Sequence, residues 1–306
     1  MLTAFLSRAD VSRHTQALLL LRDLREAFTA RVHPTSVQTL QFDAPLPGGS
    51  TLVRQASLPG LPAYSVTVRS ELEDPAQPSR QVLQLHEATT GKLLAVMDAE
   101  HLTSLRASLV SALAADVLAR PEACNVAVLG SGAAASGALK ALRLVRSLRK
   151  VWMHEPDTAS NFELAFRLQQ SLSMDLHGVD SAAEAVADAD LVVLTGQVPL
   201  PTETLKAGAH VTVLAAQTFR ECPLPAPLLA RARRFCDLDQ PPLFWGGPFH
   251  AELGEVLAKQ KDGRLSPDEL TVFASQGPAY LDLLAAWHVY EGAKNDESLT
   301  RVDLEA

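Results

Sequence analysis

The hydrophobic residues change their spacing along the first third of the chain, and the change predicts a helix followed by strands. Within 14–32 they recur every three or four positions, which is the period of an amphipathic helix. Short apolar runs follow, and proline- or glycine-containing turns separate them, which is typical of strands. The predicted strands are 2–5, 37–42, 51–57, 63–68, 81–86 and 93–97. They predict an antiparallel or mixed sheet packed on this first helix.

Strands and helices alternate in the rest of the chain, as a doubly wound parallel sheet requires. A second amphipathic helix is predicted at 103–118, and Pro121 ends it. The later strands are predicted at 125–129, 150–153, 175–179, 191–195, 210–215, 234–237 and 270–275. Helices are predicted at 161–172, 181–189, 251–260 and 278–293. The pattern therefore predicts the α/β class.

A glycine turn joins the apolar strand 125–129 to a helix of small residues. Its residues fit the pattern G-x-G-x-x-G/A and are Gly130, Ser131, Gly132, Ala133, Ala134 and Ala135. The first glycine permits a sharp turn, the second lets a pyrophosphate approach the backbone, and Ala135 lets the helix lie near the strand. The free N–H groups of the first helical turn then face the anion. The turn predicts a dinucleotide site.

Ligands of such sheets bind outside the carboxyl ends of the strands. The residues expected there include Glu155, Thr195, Gly196, Ala215, Ala216, Gln217 and Gly277. Glu155 lies 23 residues after Gly132, near the spacing of the acid that binds the ribose hydroxyl, and its charge would repel a 2′-phosphate. This favours NAD, with NADP as the alternative because the adjacent His154 tolerates a phosphate.

Composition narrows the class of protein. The 306 residues are 47% hydrophobic and 20% charged, enough for a substantial core in two domains or in one domain with a large insertion. The net charge of −8 argues against a nucleic-acid partner. No uncharged apolar run is long enough to predict a membrane span. We expect no signal peptide, reduced cysteines, a cytoplasmic location and, from the spacing of the nine histidines, no metal.

Six motifs, taken in their order and spacing, resemble the ornithine cyclodeaminase and mu-crystallin family over nearly the whole chain. They lie at 91–95, 102–114, 130–133, 205–210, 252–256 and 273–277. The resemblance implies a Rossmann-type nicotinamide-binding domain (119–277) inserted into a substrate-binding and dimerisation domain (1–118 and 278–306). It also implies a homodimer and hydride transfer between a nicotinamide and an amine or imine carbon.

The resemblance implies roles for single residues as well. Arg106 matches the family arginine that binds the substrate carboxylate, a task that suits a planar guanidinium. Arg54 falls where a second carboxylate-binding arginine often lies. Gly277 and Thr67 are expected to line the substrate pocket.

Two positions depart from the cyclodeaminase pattern. Thr67 stands where the family has a lysine near the substrate, and Gln217 stands where it has the proposed catalytic aspartate. Glutamine cannot ionise and therefore cannot take a proton. Hydride transfer to a preformed imine does not need that aspartate, so we expect an NAD(P)-dependent oxidoreductase acting on a small amino or imino acid.

Two alternatives stay open. One is ornithine cyclodeaminase activity, from L-ornithine to L-proline and ammonia, with a water or Glu221 as a displaced base. The other is a non-catalytic, nucleotide-binding dimer.

Overall fold

The computed structural model describes residues 2–30, 38–74, 79–156, 158–196, 198–214, 224–237 and 248–304. Its contacts divide the chain into two units. The first contains 1–27, 33–106 and 278–306, and the second contains 28–32 and 107–277. Both chain ends therefore belong to one unit.

The described residues form twenty-four helices and strands. In chain order they are β1 (Thr3–Leu6), α1 (Arg8–His14), α2 (Ala17–Ala30), β2 (Gln38–Leu46), β3 (Gly49–Ser57), β4 (Ala63–Leu72), β5 (Arg80–Glu87), β6 (Leu93–Asp98), α3 (Ala99–Leu118), β7 (Asn125–Leu129), α4 (Gly132–Val145), β8 (Lys150–His154), α5 (Thr158–Leu172), β9 (Leu176–Gly178), α6 (Ala182–Ala187), β10 (Leu191–Leu194), β11 (His210–Val213), α7 (Ala226–Arg231), β12 (Arg233–Cys236), β13 (Ala251–Glu252), α8 (Leu253–Leu257), β14 (Thr271–Ala274), α9 (Ala279–Ala293) and β15 (Thr300–Val302).

The first unit is built on a seven-stranded sheet in the order β15-β1-β6-β5-β4-β3-β2. The sheet is mixed, because β1 and β6 are parallel whereas β2 to β6 form an antiparallel meander. Successive side chains of a strand point to opposite faces, so one face of the meander is buried. The helix that lies against β2–β5 is α9, whereas the sequence pattern favoured the first long helix.

The second unit is a doubly wound parallel sheet, as predicted, in the order β13-β12-β14-β11-β10-β7-β8-β9. Neighbouring residues of its central strands, such as Val126 and Ala127, are both fully buried. Burial of both faces is characteristic of a parallel sheet covered by helices. The strand order reverses between β7 and β10, and at such switch points α/β proteins bind ligands.

The helix predicted at 251–260 is confirmed only at Leu253–Leu257, half of its predicted length. Ala251–Glu252 is a short strand, and the helix that follows ends at Leu257. The backbone of Lys259 has a φ of +58°, a left-handed conformation that cannot continue an α-helix. Local apolar spacing does not detect such a stop.

None of the helices in the described part of the chain is long and apolar enough to cross a membrane.

A buried histidine lies at the start of β11 in the second unit. The Nδ1 atom of His210 lies 2.9 Å from Thr271 Oγ1, and its Nε2 lies 3.0 Å from Thr212 Oγ1. Burial, together with the positive charges of Arg264 and Arg146, lowers the pKa of His210 to about 3. The folded protein therefore holds this imidazole neutral.

We expect His210 to make the protein sensitive to acid. Its pKa is depressed on folding, so the unfolded chain takes up the proton first as the pH falls below 6.5. The free energy of unfolding should then fall by up to about 1.4 kcal/mol per pH unit until the folded pKa is reached. Urea denaturation at pH 7 and pH 5 should give a smaller difference for His210→Gln than for the wild type. His177→Gln, which removes a half-exposed histidine, is the control, and an equal pH dependence of His210→Gln and wild type would contradict the assignment.

Candidate functional site

The glycine turn begins with a residue that only glycine fits. Gly130 follows β7 directly and has a φ of +117°. A Cβ atom built on it would lie 2.5 Å from Thr195 Oγ1 and 2.7 Å from the Gly196 nitrogen. Thr195 in turn donates its backbone N–H to the Leu129 carbonyl at 2.9 Å. The structure thus brings together three of the residues predicted at the nucleotide site, and it does so at the switch point of the sheet.

The N-terminus of α4 has the features of an anion site. The side chain of Ser131, its N-cap, makes no capping hydrogen bond, and the first turn holds no acidic residue. Apart from its own chain neighbours and helix backbone, a Cβ atom on Gly132 would meet no atom of the described residues within 4 Å. Helix N–H groups and the helix dipole favour an anion there. These residues therefore fit the pyrophosphate of a dinucleotide.

Small residues allow α4 to pack closely. Ala135 is fully buried, as the sequence pattern requires. A second close approach, missing from the sequence analysis, is at Gly137, where a Cβ atom would lie 2.7 Å from Ser108 Oγ on α3. Sequence alone does not identify the neighbour of Gly137, because α3 and α4 meet only through the tertiary fold.

The structure describes only some of the other residues predicted at the nucleotide site. Glu155 is half-buried and comes directly after β8. His154, which precedes it, lies with Nδ1 3.2 Å from the Val179 carbonyl oxygen. Ala215, Ala216, Gln217 and Glu221 lie outside the described residues.

The loop after β14 is held by a buried aspartate. Asp237 is 1% exposed and accepts hydrogen bonds from Ser275 Oγ at 2.6 Å, the Gln276 nitrogen at 2.8 Å and the Gly277 nitrogen at 3.0 Å. The sequence analysis gave Gly277 a place in the site but not the aspartate behind it. The three donors shape the loop that follows β14.

A second group of polar residues is buried in the first unit, between the meander and the two helices α3 and α9. Asp282 of α9 accepts from Arg106 Nε at 3.0 Å, from Arg106 Nη2 at 2.9 Å and from Arg54 Nη2 at 3.2 Å. Arg54 is 8% exposed, and Arg106 and Asp282 are each 1% exposed. The structure therefore brings together the two arginines that the resemblance assigned to a substrate carboxylate. We call Arg54, Arg106 and Asp282 the arginine cluster.

The arginine cluster combines two guanidinium groups with one carboxylate. Burial lowers the pKa of Arg54, and the positive charges of Arg106 and Arg69 lower it further, whereas Asp282 raises it. The Nη1 atom of Arg106 is buried and has no hydrogen-bond partner in the described part of the chain. A buried donor without a partner is costly, and a ligand carboxylate would satisfy it.

Thr67 lies beside this cluster. It is 3% exposed and stands opposite Arg54 in the β3–β4 register. Cross-strand partners share a face of the sheet, so Thr67 faces α9 as Arg54 does.

Asp282 is the residue whose importance the sequence analysis missed. The sequence did contain a signal: most of α9 is apolar and buried, and Asp282 is the acidic residue of its first turn. An acid within a buried apolar helix needs a charged partner. The partners are distant in sequence, so only the fold identifies them.

Comparison with known proteins gives the family context. The family model described as "Ornithine cyclodeaminase/mu-crystallin family" matches residues 2–297. A Delta(1)-pyrroline-2-carboxylate reductase from Bacillus cereus is 29% identical over 229 residues, which is 69% of this chain and 70% of the relative. The ketimine reductase mu-crystallin of Mus musculus is 28% identical and covers 94% of this chain and 96% of its own. An archaeal alanine dehydrogenase dimer with bound NAD superimposes with a TM-score of 0.86 at 24% identity, covering 99% of this chain and 100% of that one.

Two alanine substitutions should separate the roles of the glycines. Gly130→Ala forces a Cβ into Thr195 and Gly196 and should lower the free energy of unfolding by about 2–4 kcal/mol. Gly132→Ala meets only the strain of a positive φ (+73°) and should cost about 1 kcal/mol. Urea denaturation of both variants measures the difference. An equal loss of unfolding free energy in the two variants would show that the contact with Thr195 does not account for the cost at Gly130.

Proposed function

This chain belongs to the ornithine cyclodeaminase/mu-crystallin family, and on that premise we propose that it is an NAD(P)-dependent reductase of small carboxylate-bearing imines. The observation that carries the proposal is the Nη1 atom of Arg106, a buried donor in the arginine cluster for which the described residues offer no hydrogen-bond partner. The bacterial and mouse relatives support the reaction class, because both are named as reductases of C=N compounds.

We propose NAD as the preferred cofactor. Gly130 permits the sharp turn beside Thr195 and Gly196, Gly132 leaves room for the pyrophosphate, and the backbone N–H groups of α4 bind it. The carboxylate of Glu155 binds the ribose hydroxyls and disfavours a 2′-phosphate. When bound, the nicotinamide supplies or accepts the hydride. We therefore assign 119–277 as the dinucleotide domain and the two chain ends as the substrate domain.

The protein residues bind and orient the substrate in this scheme. Arg106 forms charge-assisted hydrogen bonds to the substrate carboxylate, and Arg54 adds a second positive charge beside it. Thr67 and Gly277 contribute to the walls of the pocket. Gln217 stands at the family position of the catalytic aspartate and cannot exchange a proton, because an amide cannot ionise. Reduction of a preformed imine requires fewer proton transfers than the conversion of ornithine to proline, and this is why we prefer it.

We also propose that the protein is a homodimer formed through the open face of the meander. Arg54 faces α9. Val53 precedes Arg54 on β3 and pairs with Val68 on β4, so both valines lie on the opposite face of the sheet. Phe42, Val53, Val68 and Val82 form one row across four strands, and Phe42 and Val82 are 62% and 44% exposed. An apolar row of this kind is typical of a protein interface. The archaeal alanine dehydrogenase supports a dimer, since it is described as one.

The reductase proposal is tested by following nicotinamide absorbance with NADH or NADPH and a panel of cyclic imine carboxylates. We expect oxidation of NADH, and a lower rate with NADPH. Arg106→Lys keeps the charge but loses the planar fork, so its kcat/KM should fall about 10- to 100-fold. Arg22→Lys, at an exposed arginine, is the matched control.

Other outcomes would contradict the reductase proposal. Proline formation from L-ornithine would favour the cyclodeaminase, and cofactor binding without turnover of any imine would favour the nucleotide-binding dimer.

The dimer proposal is tested with Val68→Glu, which places a charge in the middle of the apolar row. Sedimentation velocity should show a dimer for the wild type and a monomer for this variant, because burial of an unpaired carboxylate is costly. Leu265→Glu adds the same charge at an exposed leucine of the second unit and should remain dimeric. A dimer that survives Val68→Glu would place the interface elsewhere.

A further inference from the structure

We propose that Thr103 is a positioning residue. Its hydroxyl holds the carboxylate of Asp282, which in turn holds Arg106 in the orientation that presents Nη1 to a ligand carboxylate. The inference rests on the proposed function, because it assumes that Arg106 binds the substrate carboxylate. It adds a side chain that acts on the ligand only through Asp282 and Arg106, and it gives Gln81 the task of directing the Thr103 hydroxyl.

Thr103 and Arg106 reach the same oxygen of Asp282. The two residues are three positions apart in α3, so they lie on the same face of the helix. The Oδ1 atom of Asp282 accepts from Arg106 Nε at 3.0 Å, from Arg106 Nη2 at 2.9 Å and from Thr103 Oγ1 at 3.3 Å. Arg106 is therefore not held by a fork in which each nitrogen meets its own carboxylate oxygen.

Contact through a single oxygen leaves the carboxylate of Asp282 a freedom that a two-oxygen fork would remove. The carboxylate can swing about Oδ1 while both bonds to Arg106 persist. Two further bonds oppose this motion, because Thr103 is a third donor at Oδ1 and Arg54 Nη2 donates to Oδ2 at 3.2 Å. The orientation of the Arg106 guanidinium thus depends on donors outside the Arg106–Asp282 pair.

The hydrogen bonds of Thr103 can run in only one direction. Gln81 Nε2 lies 3.2 Å from Thr103 Oγ1 and can only donate, whereas the carboxylate of Asp282 can only accept. The hydroxyl oxygen therefore accepts from Gln81, and the hydroxyl proton points to Asp282. Gln81 is 8% exposed, so water has little access to its side chain.

The orientation of Arg106 matters because one of its donors is unused. Arg106 is 1% exposed, and its Nη1 has no hydrogen-bond partner among the described residues. A charge-assisted hydrogen bond is strong only when it is short and nearly linear. A guanidinium that tilts as Asp282 swings would lose part of its bond to a ligand carboxylate. The Thr103 hydroxyl therefore contributes to carboxylate affinity without touching the ligand.

Two substitutions separate the hydroxyl group of Thr103 from its methyl group. Thr103→Val keeps the shape of the side chain and removes the donor, whereas Thr103→Ser keeps the donor and removes the methyl group. If Thr103 acts through its hydrogen bond, the serine variant retains the carboxylate affinity and the valine variant loses it. A role in packing alone gives the opposite order, because valine preserves the apolar contacts.

A substitution of Gln81 tests the direction of the hydroxyl. Gln81→Glu places an acceptor beside Thr103, and this acceptor competes with Asp282 for the hydroxyl proton. It should weaken carboxylate binding by about 3- to 10-fold in the wild type and by less than about 2-fold in Thr103→Val, since both changes remove the same hydrogen bond. An equal loss in the two backgrounds would overturn the direction assigned to the hydroxyl.

The experiment is a calorimetric titration of the purified protein with pyrrole-2-carboxylate and pyrrole-2-carboxamide, with and without saturating NAD. The probes share a ring, and only the first carries a charge for Arg106. We expect the wild type to bind the carboxylate at least about 10-fold more tightly. Thr103→Val should lower the carboxylate affinity by about 3- to 10-fold, as expected for one hydrogen bond, and should leave the carboxamide affinity within about 2-fold. Thr103→Ser should stay within about 2-fold of the wild type for both probes.

Thr15→Val is the matched control. Thr15 is half-buried in the same unit and donates its hydroxyl to the Val11 carbonyl, so neither affinity should change. Circular dichroism and urea denaturation check that each variant folds. If Thr103→Val does not fold, Thr103→Ala and Thr103→Ser decide, because they differ only in the hydroxyl.

Several results would overturn the proposal. They are an unchanged carboxylate affinity in Thr103→Val, an equal loss of both probes in that variant, a loss in Thr103→Ser as large as in Thr103→Val, and a wild type that does not prefer the carboxylate. With Thr103→Ala in place of the valine variant, the same comparisons apply.

Imine turnover is measured separately, so the two failures can be told apart. We expect Thr103→Val to raise KM by about 3- to 10-fold and to leave kcat within about 2-fold, because the hydrogen bond supports binding in the ground state and the transition state alike. A carboxylate preference that depends on Thr103, without turnover of any imine, would contradict the proposed function and leave the positioning role intact. Turnover with the same KM in wild type and Thr103→Val would contradict the positioning role alone.

Discussion

A guanidinium group is stable in a protein interior only beside a compensating charge. In the first unit, one carboxylate compensates two buried guanidinium groups. Asp282 pairs with Arg106 of α3 and with Arg54 of β3. The two ion pairs of Asp282 therefore hold α9 against the meander and against α3. Breaking such a pair leaves an uncompensated buried charge, which is far more costly than losing a surface ion pair.

The second unit depends on a steric constraint. The carbonyl and amide groups of β7 and β10 pair in register, and the loops that follow the two strands then touch at Gly130 and Gly196. A Cβ atom on Gly130 does not fit beside Thr195 and Gly196. The same geometry turns the chain sharply into α4 and leaves the N–H groups of its first turn without a side-chain cap. Packing in the sheet and anion binding at the helix are therefore consequences of the same glycine turn.

Much of the second unit could be predicted from sequence, because its elements carry local signals. The apolar run before Gly130 and the small residues after it predict a strand, a turn and a helix, and the structure confirms their bounds closely. The residues assigned to substrate binding, and those that support them, were harder to predict from sequence. Arg106 was assigned through the family resemblance alone, and the sequence analysis gave no role to Asp237, although three donors surround it. Burial and hydrogen bonding at these positions depend on residues far away in the chain.

The sequence by itself determined the α/β class, the parallel sheet and the glycine turn, because hydrophobic period and backbone freedom are properties of neighbouring residues. Only the tertiary structure decided that Asp282 lies between two arginines 228 and 176 positions away. It also decided that α9, instead of the first long helix, covers the meander. Charge compensation acts through space and low dielectric, so no local pattern contains it.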